Sequence, residues 1–379
     1  MRRFFAFLLA VLMMLSMVAC DTTGEVPAET TPKGETIVYA QNNLRLEDVS
    51  DRIRLLGRSE YGDYGVICDQ TASGIEFSAY ISGKLSLSFN CLQDAYFTVF
   101  VDDVRQEERL AVKGGIGDQM VEIAEFSEME LHEIRIVKQT EANNAAVTLK
   151  QLDFYGYLAP KTAEREIYLE FLGDSITCGY GNLWDKSASD PSNKSGTALY
   201  QDGTKSFAYL TAQLLKADVS IVSRSGIGVD RSYTNQNGNG YTMLDYYKAS
   251  SYVRSTTEQF DFENARVPDV VIINLGTNDQ SVGSTEEQFK AGVKELVEFI
   301  RSAYQEDVPI VWVYGMMSDG CYQWVQSVFA QMGGENAKLY TCKLVQNKEA
   351  GNGHPSLTAH NIASQQLTGF LTSHNLVEV

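Results

Sequence analysis

The feature that most constrains this chain is a pair of apolar runs, each closed by a tight polar turn. Ile167-Tyr168-Leu169-Glu170-Phe171-Leu172 leads into Gly173-Asp174-Ser175-Ile176-Thr177, and Val270-Val271-Ile272-Ile273-Asn274-Leu275 leads into Gly276-Thr277-Asn278-Asp279. Short apolar runs bounded by turn residues mark strands buried on both faces, the condition of a parallel sheet covered by helices. In such sheets ligands bind at the carboxyl ends of the strands, so both turns direct side chains into one crevice. Ser175 is therefore the candidate nucleophile.

A serine hydroxyl is inert at neutral pH without a base, and histidine is the usual one. The chain has four histidines. His132 lies in strand-like alternation and His374 close to the C-terminus, which leaves His354 and His360 in Gly353-His354-Pro355-Ser356-Leu357-Thr358-Ala359-His360. His354 sits in a turn made with Gly351, Asn352, Gly353 and Pro355, whereas His360 falls on the apolar periodicity of the helix that follows. Loops on a rigid scaffold carry chemistry more often than helix faces, so His354 is preferred and His360 is its rival.

Taken in order, Gly173-Asp174-Ser175, then Ser225-Gly226 after the strand Val219–Ser223, then Gly276–Asp279, then His354-Pro355 resemble the four blocks of the SGNH (GDSL-type) hydrolases. The resemblance implies that Ser175 attacks an ester carbonyl and that His354 relays the proton. It also implies an oxyanion hole made of the Ser175 and Gly226 backbone N–H groups and the Asn278 amide, with Gly228 as the alternative to Gly226. One preorganised donor aimed at the developing charge contributes roughly 3–4 kcal/mol. No cofactor or metal is implied. There is no Gly-x-Ser-x-Gly elbow, which removes the main support for an α/β-hydrolase. The family's histidine block carries an acidic residue two or three positions before the histidine, but here Asn352 and Gly351 stand there and the nearest upstream carboxylate is Glu349. The expectation is a Ser–His dyad whose imidazole is held by a backbone carbonyl or by Asn352, with slower chemistry than a triad gives.

Helical patterns at Ser206–Leu215 and Thr285–Tyr304 alternate with strands at Val219–Ser223, Val270–Leu275 and Pro309–Val313, which predicts a three-layer α/β/α domain over 159–379. Before it, 37–158 reads as short alternating strands, among them Gly74–Ile81, Leu85–Phe89, Tyr96–Asp103 and His132–Lys138, and predicts an all-β, jelly-roll-like sandwich. A sandwich ahead of an SGNH domain resembles carbohydrate esterase family 2, with Val101-Asp102-Asp103, Lys138-Gln139-Thr140-Glu141 and Tyr314-Gly315-Met316-Met317 as further points of similarity. That resemblance implies acetylated plant polysaccharides, xylan and glucomannan, as substrates. A catalytically weak or inactive glycan-binding lipoprotein, and a lipid or thioester hydrolase, are the alternative readings. Trp184 and Trp324 are candidate sugar-stacking residues in loops, Trp312 fits a core strand, and the 229–265 insertion is expected to form part of the cleft.

The N-terminus speaks to location. Arg2-Arg3 precede an apolar stretch ending at Met17-Val18-Ala19-Cys20, which reads as an export signal and resembles a bacterial lipobox with Cys20 as the lipidated residue. Residues 21–36, rich in Thr, Glu, Pro and Gly, read as a tether. The expected location is therefore lipid-anchored at the bacterial cell surface or in the extracellular or periplasmic space. A formal net charge of −18 disfavours nucleic acid as a partner, so the expected partners are glycan and, through the anchor alone, membrane. Past Cys20 the remaining cysteines (Cys68, Cys91, Cys178, Cys321, Cys342) show no framework spacing; Cys68 and Cys91 are the one conceivable pair.

Overall fold

The computed structural model describes residues 37–185, 197–233, 240–305 and 307–378. The expected leader, Cys20, the tether and the 234–239 tip of the insertion lie outside the described residues. Tyr39–Val379 forms one compact unit. Its first part is rich in antiparallel strands: β1 (Ala40–Arg45), β2 (Arg54–Leu56), β3 (Glu60–Gly62), β4 (Gly65–Ile67) and β5 (Gly74–Cys91), then β6 (Ala95–Val101), β7 (Val104–Arg105), β8 (Leu110–Val112), β9 (Gln119–Lys138) and β10 (Val147–Leu158). They pair in the order β3-β4-β10-β5-β9-β6-β7, with β1 on β10, β2 on β5 and β8 on β6. Alternate residues point into one apolar core: Phe77, Ile81, Leu87 and Phe89 of β5 meet Ile134 and Ile136 of β9 and Leu152 and Phe154 of β10.

One expectation about these strands is corrected. Gly74–Ile81 and Leu85–Phe89 are not separate strands but one β5 of 18 residues. Gly83, at φ +73°, takes up the irregularity where pairing with β9 shifts from Ile81 opposite Glu130 to Gly83 opposite Phe126. Cys68 and Cys91 are free and buried, so they form no bridge.

The second part holds a parallel sheet of β11 (Tyr168–Gly173), β12 (Asp218–Ser223), β13 (Val270–Asn274), β14 (Ile310–Tyr314) and β15 (Leu339–Lys343), in the order β12-β11-β13-β14-β15. Helices α2 (Phe207–Leu214) and α7 (Leu357–Ser373) pack on one face, and α3 (Met243–Lys248), α5 (Glu286–Tyr304) and α6 (Tyr322–Gln331) on the other. The strands read as apolar runs because both faces are covered; Trp312 in β14 is fully buried, its indole N–H donating to the Leu275 carbonyl at 3.1 Å. α5 starts where Thr285 and Gln288 close a capping box.

Buried charge joins the two parts. Arg54 of β2 bridges Glu76 at 2.6 Å and Asp218 of β12 at 2.7 Å. Arg58 lies 3.3 Å from Glu170 of β11, donates to the Tyr247 carbonyl at 2.7 Å and stacks over Phe260, while Tyr247 and Tyr304 donate to Glu170 at 2.6 and 2.7 Å. Removing one partner of such a pair leaves a buried charge uncompensated. Glu170→Ala is expected to lower the unfolding free energy in urea by about 3–5 kcal/mol; an unchanged midpoint would contradict this account of the interface.

Candidate active site

The site is built at the one place where strand order reverses. Gly173, the last residue of β11, pairs in register with Ser223 of β12 and Asn274 of β13, so three loops leave the sheet at one level. The first loop turns at once into α1 (Ser175–Cys178), with Asp174 as its N-cap accepting the Ile176 N–H at 3.0 Å. Gly179, at φ +72°, ends the turn. Ser175 thus opens a helical turn, where its own N–H has no intrahelical acceptor. Burial pushes the Asp174 carboxyl up to about 7, against the pull of its N–H bonds.

His354 meets Ser175 from the far end of the chain. Its Nε2 lies 2.7 Å from Ser175 Oγ and its Nδ1 3.0 Å from the Gly351 carbonyl oxygen. A carbonyl can only accept, so in the neutral ring Nδ1 carries the proton and Nε2 offers its lone pair to the serine hydroxyl. Asn352, in the left-handed region at φ +53°, bends the chain so that this carbonyl reaches the ring. Its amide donates to Tyr180 Oη at 3.1 Å, and the Tyr180 ring packs 4.6 Å from the imidazole. Glu349 accepts from Asn347 at 2.9 Å. Burial lowers the His354 pKa to about 4, partly offset by its hydrogen bonds to the Gly351 and Asn352 backbone. His360 is fully buried, and its Nδ1 accepts the Phe207 N–H at 3.1 Å at the start of α2.

The second loop carries Gly226 at φ +83°. Of the two glycines that could supply an N–H, Gly228 already donates to Ser232 Oγ at 3.2 Å, and a Cβ on it would meet the Arg231 carbonyl oxygen at 2.0 Å. Close approach therefore accounts for Gly228, while the Gly226 N–H has no partner among the described residues.

The third loop forms α4 (Thr277–Ser281) behind Gly276, whose Cβ, if present, would strike Tyr314 at 2.7 Å. The Asn278 amide donates to the Ile227 carbonyl at 2.8 Å and lies 3.3 Å from Asp174 Oδ2, tying all three loops together. Asp279 was not singled out by the sequence. It accepts the Val229, Asp230 and Arg231 N–H groups at 3.1, 2.8 and 3.0 Å, holding the segment that follows Gly226. Burial raises its pKa, opposed by those three bonds.

Ser175, His354 and Asn278 thus converge beside the Gly226 loop. Trp184 is half-buried beside the turn of Gly181, whose carbonyl accepts the Gly351 N–H at 3.1 Å, so it lies near the histidine loop. Trp324 is not in a loop: it belongs to α6 and its ring packs on Phe289 at 5.8 Å, joining the core beneath α5.

Residues 169–364 match the family model of the GDSL-like lipase/acylhydrolases, and the chain belongs to that family. Several of the similar solved structures are family two carbohydrate esterases. Cellulase/esterase CelE of Acetivibrio thermocellus is 32% identical over 252 residues, which is 62% of this chain and 29% of that protein. An acetylxylan esterase/glucomannan deacetylase of Cellvibrio japonicus is 28% identical over 236 residues, 61% of this chain and 62% of its own length. The chain therefore spans less than two thirds of either curated relative. A solved family two carbohydrate esterase from Clostridium thermocellum, in complex with cellohexaose, superposes with a TM-score of 0.76 at 26% identity, over 86% of this chain and all of that one.

Because Asp279 is the acceptor for three backbone N–H groups at once, Asp279→Ala would leave them unpaired. Each unsatisfied buried group costs about 1–3 kcal/mol where water cannot replace the partner. A loss of at least about 2 kcal/mol in thermal unfolding is expected, with faster amide exchange confined to residues 226–231; exchange unchanged there would remove Asp279 from this role.

Proposed function

We propose that this chain is a serine esterase that removes O-acetyl groups from plant cell-wall polysaccharides such as xylan and glucomannan. The observation that carries the reading is the 2.7 Å contact between Ser175 Oγ and His354 Nε2 at the switch point of the sheet. His354 takes the hydroxyl proton as Ser175 attacks the acetyl carbonyl, and returns it to the sugar oxygen as the C–O bond breaks. Water, deprotonated by the same imidazole, then attacks the acyl-serine, and acetate leaves as the Ser175–acyl bond breaks and the imidazolium returns its proton to Ser175 Oγ. The oxyanion formed in each half is met by the N–H groups of Ser175 and Gly226 and by the Asn278 amide, which must share a hydrogen now given to Ile227 or Asp174. Trp184, on the histidine side, is the better placed of the two tryptophans to meet a sugar ring.

The remaining parts of the reading concern organisation. Residues 37–158 constitute a jelly-roll-like sandwich, a reading supported by the single apolar core that the long strands β5, β9 and β10 line, and 159–379 the hydrolase domain. Residues 1–20 are an export signal ending in the lipidated Cys20, and 21–36 a tether; the basic, apolar and lipobox-like run at the N-terminus supports this.

Acetate released from acetylated xylan and glucomannan tests the activity. Release by the full chain is expected to fall by a factor of about 10³ or more in Ser175→Ala and His354→Ala. No release by the unaltered chain, with glycan binding intact, would favour the glycan-binding alternative; hydrolysis of lipid or thioester but not of polysaccharide would favour the other. The pH profile gives a second check. The base must be neutral, and burial holds the His354 pKa near 4, so kcat/KM should stay flat as pH falls through 6.5 and drop only near pH 4. An acid limb at 6 to 7 would mean either that His354 is solvated like a free imidazole, at about 6.5, or that the neighbouring Asp174 carboxyl, near 7, controls the site.

A further inference from the structure

The antiparallel part of the chain sends one carboxylate into the hydrolase site. Glu141 follows β9 and is 2% exposed. Its Oε2 accepts the Ser225 N–H at 2.7 Å and its Oε1 accepts the Ser225 hydroxyl at 2.5 Å. The same carboxylate lies 3.6 Å from the thiol of Cys178, the last residue of α1, and 3.4 Å from the Gln201 amide, which also donates to the Cys178 carbonyl at 3.3 Å. One side chain therefore touches both the helical turn that begins at Ser175 and the residue before Gly226.

We infer that Glu141 is a positioning residue of the oxyanion hole, fixing Ser225 so that the Gly226 N–H is presented toward Ser175. The inference rests on the esterase reading above. The Gly226 N–H belongs to the peptide that joins Ser225 to Gly226, so gripping Ser225 at both its own N–H and its hydroxyl removes the rotations that would swing this peptide away. Both Ser225 groups are donors in these contacts, and an ionised carboxylate offers acceptors alone. A glutamine offers one acceptor oxygen and would set an NH2 group against a donor. The loop is held on its far side by Asp279, through Val229, Asp230 and Arg231. Gly226 lies between two buried carboxylates, one from each part of the molecule. Glu141 is held in turn by its neighbours: its N–H donates to Gln201 Oε1 at 3.2 Å, and the fully buried Lys138 ammonium donates to the Asp69 and Thr140 carbonyls at 2.9 and 2.5 Å.

The test uses the full chain with 4-nitrophenyl acetate as substrate and phenylboronic acid as inhibitor, since boron bonded to Ser175 Oγ presents a tetrahedral oxygen to the same N–H groups. Glu141→Gln is expected to lower kcat about tenfold to a hundredfold and to weaken boronate inhibition by a similar factor. KM should stay within about twofold, because the lost interaction is one made in the transition state. Ser225→Ala should cost less, Ser225→Thr should recover most of that loss, and Glu141→Gln/Ser225→Ala should be no worse than Glu141→Gln alone, because the two residues act through one contact. A Glu141→Gln protein with unaltered kcat and boronate affinity, or losses that multiply in the double variant, would overturn the inference. Should Glu141→Gln fail to fold, the Ser225 pair decides: a loss in alanine restored by threonine supports it, and equal activities refute it. Ser175→Ala, assayed alongside, separates the two levels, because retained activity there would sink the esterase reading itself.

Discussion

The hydrogen-bond ladders on either side of β11 are the constraint from which the site follows. Gly173 faces Ser223 across one ladder and Asn274 across the other. A shift of one residue in either pairing would move a loop along the strand axis by about 3.3 Å and turn alternate side chains to the opposite face. The ladders in turn depend on burial: β11, β13 and β14 are closed over by helices on both faces, and an apolar strand with no exposed face has no alternative register that hides it equally well. What is bound at the strand ends is therefore rigid before any loop contributes. The loops need only short-range chemistry to finish the arrangement, an N-cap at Asp174, a positive φ at Gly276 and an amide bridge at Asn278.

The antiparallel part is fastened to this sheet both by apolar packing, with Ala72, Phe100 and Val137 joining the hydrolase core, and by polar contacts. Arg54 and Arg58 reach β12 and β11, Arg105 reaches Asp202 at 2.8 Å, Thr98 shares a hydrogen with Thr204 at 2.8 Å, and the Gly203 N–H donates to the Gln139 carbonyl at 2.8 Å. Buried ion pairs add little net stability over apolar packing, because each charge must first be stripped of water. Their geometry is demanding, however, and an interface made of them tolerates a single docking. Such an interface suits the position of Glu141, whose carboxylate must arrive within hydrogen-bond distance of one particular loop.

Much of this was legible in the sequence because it leaves local traces. The two strand–turn units, four of the five parallel strands and the histidine turn were read from runs and spacing alone. α3, inside the 229–265 stretch read as an insertion, also had its trace: Thr242 and Asp245 form a capping box, and the short six-residue helix was hidden by the Asn- and Gly-rich residues before it. Trp324 was placed in a loop because α6 lacks that signal, its N-cap being Cys321 with no side-chain bond. The full length of β5 was missed because Gly83 reads as a turn. Asp279 and Glu141 lie in segments that carry the family resemblance, but their parts as acceptors for a distant loop were not identifiable. A carboxylate that accepts backbone N–H groups from a distant loop imposes no periodicity on its own segment, and nothing at position 141 marks Ser225 as its partner.

The acceptors around the glycine loop share a pattern. Asp174 takes the Ile176 N–H, Asp279 takes three N–H groups, and the Gly351 carbonyl takes the histidine proton. Acceptors hold the frame, while the N–H groups of Ser175 and Gly226 have no backbone partner among the described residues. A site arranged this way is poor at holding a cation and ready for an anion, which is the charge that an acyl-transfer transition state develops on its carbonyl oxygen. On the proposed mechanism, the same arrangement lets a histidine whose Nδ1 faces the Gly351 carbonyl serve as the base. Burial makes the imidazolium costly and pulls the His354 pKa down, but in the proposed step it forms together with the oxyanion and close to it. In surroundings of low dielectric, opposite charges that arise as a pair stabilise each other more than they would in water. On this argument the rate is governed less by what lies behind Nδ1 than by how firmly the N–H groups are aimed, and the residues that aim them are where substitution should be felt most.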